Sequence, residues 1–253
     1  MPVTNDQRAA LLGLLTNVPS DDWGRTTGCR DWPVHDVVAH LVEGELLFGR
    51  VYRGEHNGLS REDTDPQAGV DRWTRADADT LRFSLWHHGT ATQRVIDSRS
   101  AESWDREISL FGRPARLREL LHLHFFDLAL HSMDISAALG APSLWGDRIP
   151  AIVEFCLRGA PDALAARAFS AADGLRVEVD GAGSWILARR DGAWHLDSVD
   201  GVDATLSWIT DPETLVRATT GRLPAAEAIE RSKVEGDPAV LVELVAAWQV
   251  KSG

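Results

Sequence analysis

The chain is poor in three things, and each scarcity excludes something. Cysteine occurs twice in 253 residues, at Cys29 and Cys156. No disulfide framework can hold the fold, and the expected compartment is a reducing cytoplasm. Lysine also occurs twice, at Lys233 and Lys251; arginine supplies the rest of the 26 basic residues, against 38 acidic ones. The net charge of −12 is shared by both halves. It lacks the basic face that nucleic acid demands and opposes an anionic membrane surface. Long apolar runs are missing as well, since none approaches the roughly 18–20 residues needed to cross a bilayer. Met1 to Asp6 lacks the basic-then-apolar order of an export signal, so none is expected.

What is present is globular. Hydrophobic residues make up 44% and charged residues 25% of the chain, enough for one sizeable core or two smaller ones. The first 140 residues carry helical periodicity. Thr4-Asn5-Asp6-Gln7 has the form of a capping box, and leucines 11, 12, 14 and 15 carry a first helix to about Asn17. Trp32-Pro33 opens a second helix, in which Val34, Val37, Val38, Leu41, Phe48 and Val51 recur at helical spacing to about residue 53. Residues 54–70 read as a loop, 74–97 as a third helix and 99–114 as an irregular crossover. A fourth helix follows Pro114 and stops at Leu139-Gly140.

The second half changes period. Residues 149–168 read as helix. Apolar residues then alternate at Leu175, Val177 and Val179, at Trp185 and Leu187, at Trp194 and Leu196, and at Leu206 and Trp208. Period two with one apolar face predicts an antiparallel sheet, with a hairpin turn at Asp191-Gly192. Asp211-Pro212 and Asp237-Pro238 each place an N-cap before a first-turn proline, so helices should begin there. The expected class is therefore α+β. A four-helix bundle over 1–145 is followed by a smaller α/β domain with an antiparallel sheet over 146–253.

The residues with chemistry gather on the fourth helix. His124, Asp127, His131 and Asp134 fall within about 80° of arc at 100° per residue, and Leu120, Leu128 and Ala138 flank them, so the row faces inward. Asp127 and His131, four apart, can reach one point. His40 shares its face of the second helix with Val37, Leu41 and Gly44. Two imidazoles and a carboxylate suit zinc with a fourth position open to substrate; a hydrogen-bonded helix-face pair at 127 and 131 is the competing reading. Glu43 is a fallback ligand by spacing, although it and Glu45 read as exposed. Neither cysteine shows a histidine partner in the sequence, so a thiol, if the chemistry needs one, is expected from a cosubstrate.

Cys29-Arg30-Asp31-Trp32-Pro33-Val34-His35-Asp36-Val37-Val38-Ala39-His40-Leu41 resembles the start of the second helix in the mycothiol-dependent maleylpyruvate isomerase family. Asp127-Leu128-Ala129-Leu130-His131-Ser132-Met133-Asp134-Ile135, leading to Ala138-Leu139-Gly140, resembles that family's carboxylate-x-x-x-His helix. Thr220-Gly221-Arg222 to Glu235-Gly236-Asp237-Pro238 is similar to the end of its second domain. The resemblance implies a DinB-like bundle binding a divalent metal, zinc foremost, through His40, Asp127 and His131, ahead of a sterol-carrier-like domain. Asp127 stands where the family usually has Glu.

The resemblance further implies mycothiol as thiol cofactor or cosubstrate, with the metal favouring its thiolate. The thiol would add to a small electrophile, either to isomerise a cis alkene or to remain attached as in an S-transferase. A dicarboxylate substrate needs cationic partners; Arg222 is the candidate and Arg82 on the third helix a weaker one. The alternatives are a thiol or metal sensor, a small-ligand carrier and a metal-dependent hydrolase. A monomer or homodimer is expected.

Overall fold

The computed structural model describes residues 3–165, 174–198 and 204–249. The chain divides into two compact units, Met1–Gly146 and Asp147–Gly253.

In the first unit, helices α1 (Val3–Thr16), α2 (Val34–Arg53), α4 (Ala78–Asp97) and α5 (Leu117–Leu139) form the bundle. Each packs on two neighbours, in the cyclic order α1-α4-α2-α5. Between them lie strand β1 (Gly58–Leu59), helix α3 (Pro66–Trp73) and the β2–β3 hairpin (Glu107–Leu110 and Arg113–Arg116). Buried apolar side chains form two clusters along the bundle. One holds Leu11, Leu15, Val38, Leu41, Leu81, Leu85, Leu128 and Ile135. The other holds Phe48, Val51, Tyr52, Ile96, Trp104, Leu117 and Leu120. Gly140 ends α5 in the left-handed conformation (φ 65°), as its sequence position predicts.

Two stretches depart from the expectation. Residues 54–70 are not all loop: β1 pairs in parallel with β2, and α3 starts at Pro66 with the Asp65 side chain accepting from the Gln67 amide at 3.1 Å. This is the same Asp-Pro start that marks two later helices. Residues 99–114 are not irregular throughout, because β2 and β3 pair antiparallel from Glu107–Arg116 to Leu110–Arg113. Gly58 permits the β1–β2 approach, since a Cβ there would sit 1.8 Å from the Ser109 carbonyl oxygen. Trp86 and Phe83 lie exposed on α4.

The second unit opens with α6 (Ile149–Ala165), followed by β4 (Gly174–Val179), β5 (Gly183–Arg190), β6 (Ala193–Ser198) and β7 (Leu206–Thr210). Helices α7 (Pro212–Thr219) and α8 (Ala225–Glu230), strand β8 (Lys233–Glu235) and α9 (Pro238–Trp248) complete it. The sheet order is β6-β5-β4-β7-β8. The antiparallel expectation holds for three of the four pairings; β4 and β7 run parallel. Alternation reports which face of a strand is buried but not its direction. Asp191 and Gly192 turn β5 into β6, both with positive φ. Asp211 and Asp237 cap α7 and α9. Trp208 and Trp248 meet edge to face in the core of this unit. Residues 166–168, expected as the end of a helix, lie outside the described residues.

Candidate metal centre

Helix α2 presents His40 and helix α5 presents Asp127 and His131. The sequence folds this way because each side chain sits on its helix's apolar stripe, one turn from buried leucine or valine. One ligand atom from each of the three lies within 4.8 Å of the others. Asp127 Oδ1 is 3.6 Å from His40 Nε2 and 3.5 Å from His131 Nε2. The two rings meet edge to face, 4.8 Å between centroids. His131 Nδ1 is 3.1 Å from Asp134 Oδ2, and that buried carboxylate fixes the ring so that Nε2 faces Asp127. A carboxylate behind a histidine is the usual way to orient a metal ligand and raise its basicity. The donor set of two imidazole nitrogens and one carboxylate, with the His131 ring braced by Asp134, fits a zinc-like cation.

Charge agrees with that reading. Burial works to raise the Asp127 pKa, but the His131 and His40 imidazoles beside it outweigh burial and hold the carboxyl well below the usual range. Burial likewise works against a proton on His131, yet Asp127, Asp134 and Cys29 raise its pKa well above the ordinary imidazole value. In the metal-free protein that proton's stabilisation is complete below about pH 6.5 and fades as pH rises through the folded value. A cation at His131 must expel the proton. Cation affinity is therefore expected to climb as pH rises from about 6.5, by up to about tenfold per pH unit per proton released. Calorimetric titrations in buffers of differing ionisation enthalpy would measure this, and an affinity independent of pH across that window would contradict it.

Three residues lie elsewhere than the sequence suggested. Cys29 has a histidine partner after all: its side chain contacts His131 and lies with His131 and Asp134 in a second convergent set. The partnership joins a loop to a helix about a hundred residues later, which local spacing cannot show. Glu45 is buried, not exposed. Its Oε1 accepts from Arg8 Nε at 2.6 Å and is 3.2 Å from His124 Nε2, while the His124 ring stacks on Phe48. Gly89 makes room for this cluster, since a Cβ there would meet Arg8 Nε at 2.2 Å. A signal was available: Val38, Leu41, Glu45, Phe48 and Tyr52 recur at three- and four-residue steps, so Glu45 occupies a core position. Glu43 turns away from the centre to Arg72 and Trp73.

The Cys29 loop is built to reach inward. Trp32 N donates to Cys29 O at 2.8 Å across a two-residue turn in which Arg30 and Asp31 both have positive φ, 53° and 58°. Each such non-glycine residue costs roughly 1 kcal/mol or more. The turn sets Cys29 toward His131 and places the Trp32 ring 5.7 Å from that of His40. The two arginines differ. Arg82 donates to the Leu15 and Thr16 carbonyls at the end of α1 and pairs with Asp79. Arg222 belongs to the second unit, where it follows α7 and its amide donates to Arg217 O at 2.8 Å. In the same unit, burial pushes the Cys156 thiol up to about 12, leaving it unreactive.

The family model of the mycothiol maleylpyruvate isomerase N-terminal domain matches residues 4–136, more than half the chain. This chain belongs to that family. Two crystal structures of mycothiol-dependent maleylpyruvate isomerase, the first from a histidine-to-alanine mutant, share the fold. Their TM-scores are 0.66 and 0.65, with 14% and 15% identity, over 92% and 87% of this chain and 90% and 87% of theirs. Two uncharacterized proteins of Mycobacterium tuberculosis, from strains CDC 1551 / Oshkosh and ATCC 25618 / H37Rv, are each 39% identical over 51 residues. The match spans 19% of this chain and 28% of the length of those relatives. No helix among the described residues is long and apolar enough to cross a membrane.

Proposed function

We propose that His40, Asp127 and His131 hold a divalent cation, zinc foremost, and that the protein uses mycothiol to act on a small electrophile. The observation that carries this is the convergence of the three donors on one point inside a family bundle. Partial exposure supports it. The side chains of His40 and Asp127 are 20% and 24% accessible while His131 is 8%, so the group opens on one side, as a catalytic site must. When bound, the cation supplies a Lewis acid that favours the thiolate of a thiol at the open position.

The residues of the chain do the remaining work. Asp134 holds His131 in one orientation, Asp127 balances charge between the two imidazoles, and Trp32 walls the His40 side. In the thiol chemistry, sulfur bonds to one alkene carbon while the π pair moves into the conjugated carbonyl. The new single bond rotates, the pair returns, and the carbon–sulfur bond breaks to release the thiol. A transferase would instead protonate the adduct and keep it. Arg82 is engaged with the end of α1 and with Asp79, so its guanidinium is not offered to anionic groups on substrate or thiol.

The test joins metal content to turnover. Protein purified without added metal is expected to carry about one equivalent of a divalent ion, and to convert maleylpyruvate or another electrophile only with mycothiol present. Isomerised product identifies an isomerase; a stable thioether identifies a transferase. Metal-free protein that turns over at full rate, or turnover unaffected by omitting mycothiol, would refute the proposal.

A further inference from the structure

The imidazole of His131 faces two carboxylates through its two nitrogens, Asp127 through Nε2 and Asp134 through Nδ1. Only the first side belongs to the centre described above. On the other side, one ligand atom each from Cys29, His131 and Asp134 lies within 4.8 Å of the others, and all three residues are buried. We propose that Cys29, His131 and Asp134 form a second cation position, selective for thiophilic ions such as cadmium or excess zinc, that competes with the His40–Asp127 side for His131.

Ligand chemistry distinguishes the sides. The first set offers nitrogen and oxygen alone, whereas the second adds a thiol, and soft cations follow sulfur. The backbone fixes where the thiol sits. The Arg30–Asp31 turn holds two consecutive non-glycine residues at positive φ, and the Thr27 hydroxyl accepts from the Cys29 amide at 3.1 Å. Strain of this kind persists where surrounding structure enforces it and gathers at functional sites. Competition follows from the ring. A neutral imidazole offers one nitrogen lone pair, so a cation at one nitrogen leaves the other carrying its proton. The two sets should therefore take one cation between them. A thiophilic ion on the Cys29 side would withdraw His131 from the catalytic side, making the pair an inhibitory switch driven by soft metals.

The cation position does not depend on the proposed activity, whereas the inhibitory role rests on it, and the test reads metal coordination directly. Cadmium is titrated into the metal-free full-length protein, with the thiolate-to-cadmium charge-transfer band followed in the ultraviolet. One equivalent should bind with the band present. The band should persist in His40→Ala and Cys156→Ser and vanish in Cys29→Ser. As a check that needs no variant, bound cadmium should protect Cys29 of the wild type from alkylation, mapped by mass spectrometry. The proposal fails if the wild type shows no thiolate band or if Cys29→Ser retains it. It fails also if His40→Ala abolishes the band, which would make Cys29 a donor to the first set, or if cadmium leaves Cys29 alkylation unchanged.

Discussion

Replacing His131 by alanine is expected to abolish cation binding altogether. His131 is the one residue common to both donor sets, so its loss leaves neither with more than two ligands. Metal content should fall from about one equivalent to none, and mycothiol-dependent turnover with it. Asp134→Asn provides the graded comparison. It keeps all three donors of the His40–Asp127 set but weakens the carboxylate brace 3.1 Å behind Nδ1. Loss of such a brace is expected to cost about 10–100-fold in metal affinity. Stoichiometric metal in purified His131→Ala protein would mean that the cation is held elsewhere, and the centre would have to be abandoned. Equal affinity in Asp134→Asn and the wild type would remove only the bracing role.

The second large effect concerns stability. Glu45→Ala is expected to destabilise the bundle by about 3–5 kcal/mol, because it strands a buried guanidinium. Arg8 is 2% exposed, and its Nε donates to Glu45 at 2.6 Å. At about 2–4 °C per kcal/mol, the loss should lower Tm by roughly 10 °C. The double variant Arg8→Met/Glu45→Leu removes both charges and should recover most of the loss, since apolar replacements of a buried pair are often neutral. Single and double variants with equal stability would show that Arg8 is not the cause.

The pair also sets an acid limit. Burial works to raise the Glu45 pKa, but His124 and Arg8 hold it below the ordinary value. Its stabilisation is complete above the unfolded value of about 4.3 and is lost as pH falls through the folded one. Urea unfolding midpoints should therefore decline below about pH 4.3 in the wild type, and less steeply in Glu45→Gln.

Much of the site is readable along the chain because helices obey short-range rules. His40 shares a stripe with Val37 and Leu41, Asp127 and His131 are four apart, and those spacings alone orient all three inward. The capping prolines at 212 and 238 are equally local, and the overlooked one at 66 belongs with them. Arg8 and Glu45 mark where this reading stops. Each occupies an apolar stripe position on its own helix, but nothing within either helix says that they meet.

The amino-acid sequence by itself determined where the long helices and the strands of the second unit lie, and that His40, Asp127 and His131 each face inward, since these depend on contacts within a turn or two of backbone. The tertiary structure alone decided that Cys29 lies against His131, that Arg8 finds Glu45 across 37 residues, and that β7 runs parallel to β4. Those outcomes depend on the path of the chain between elements. Side-chain periodicity carries no record of that path, because it is symmetric to strand direction and blind to which neighbour a loop delivers.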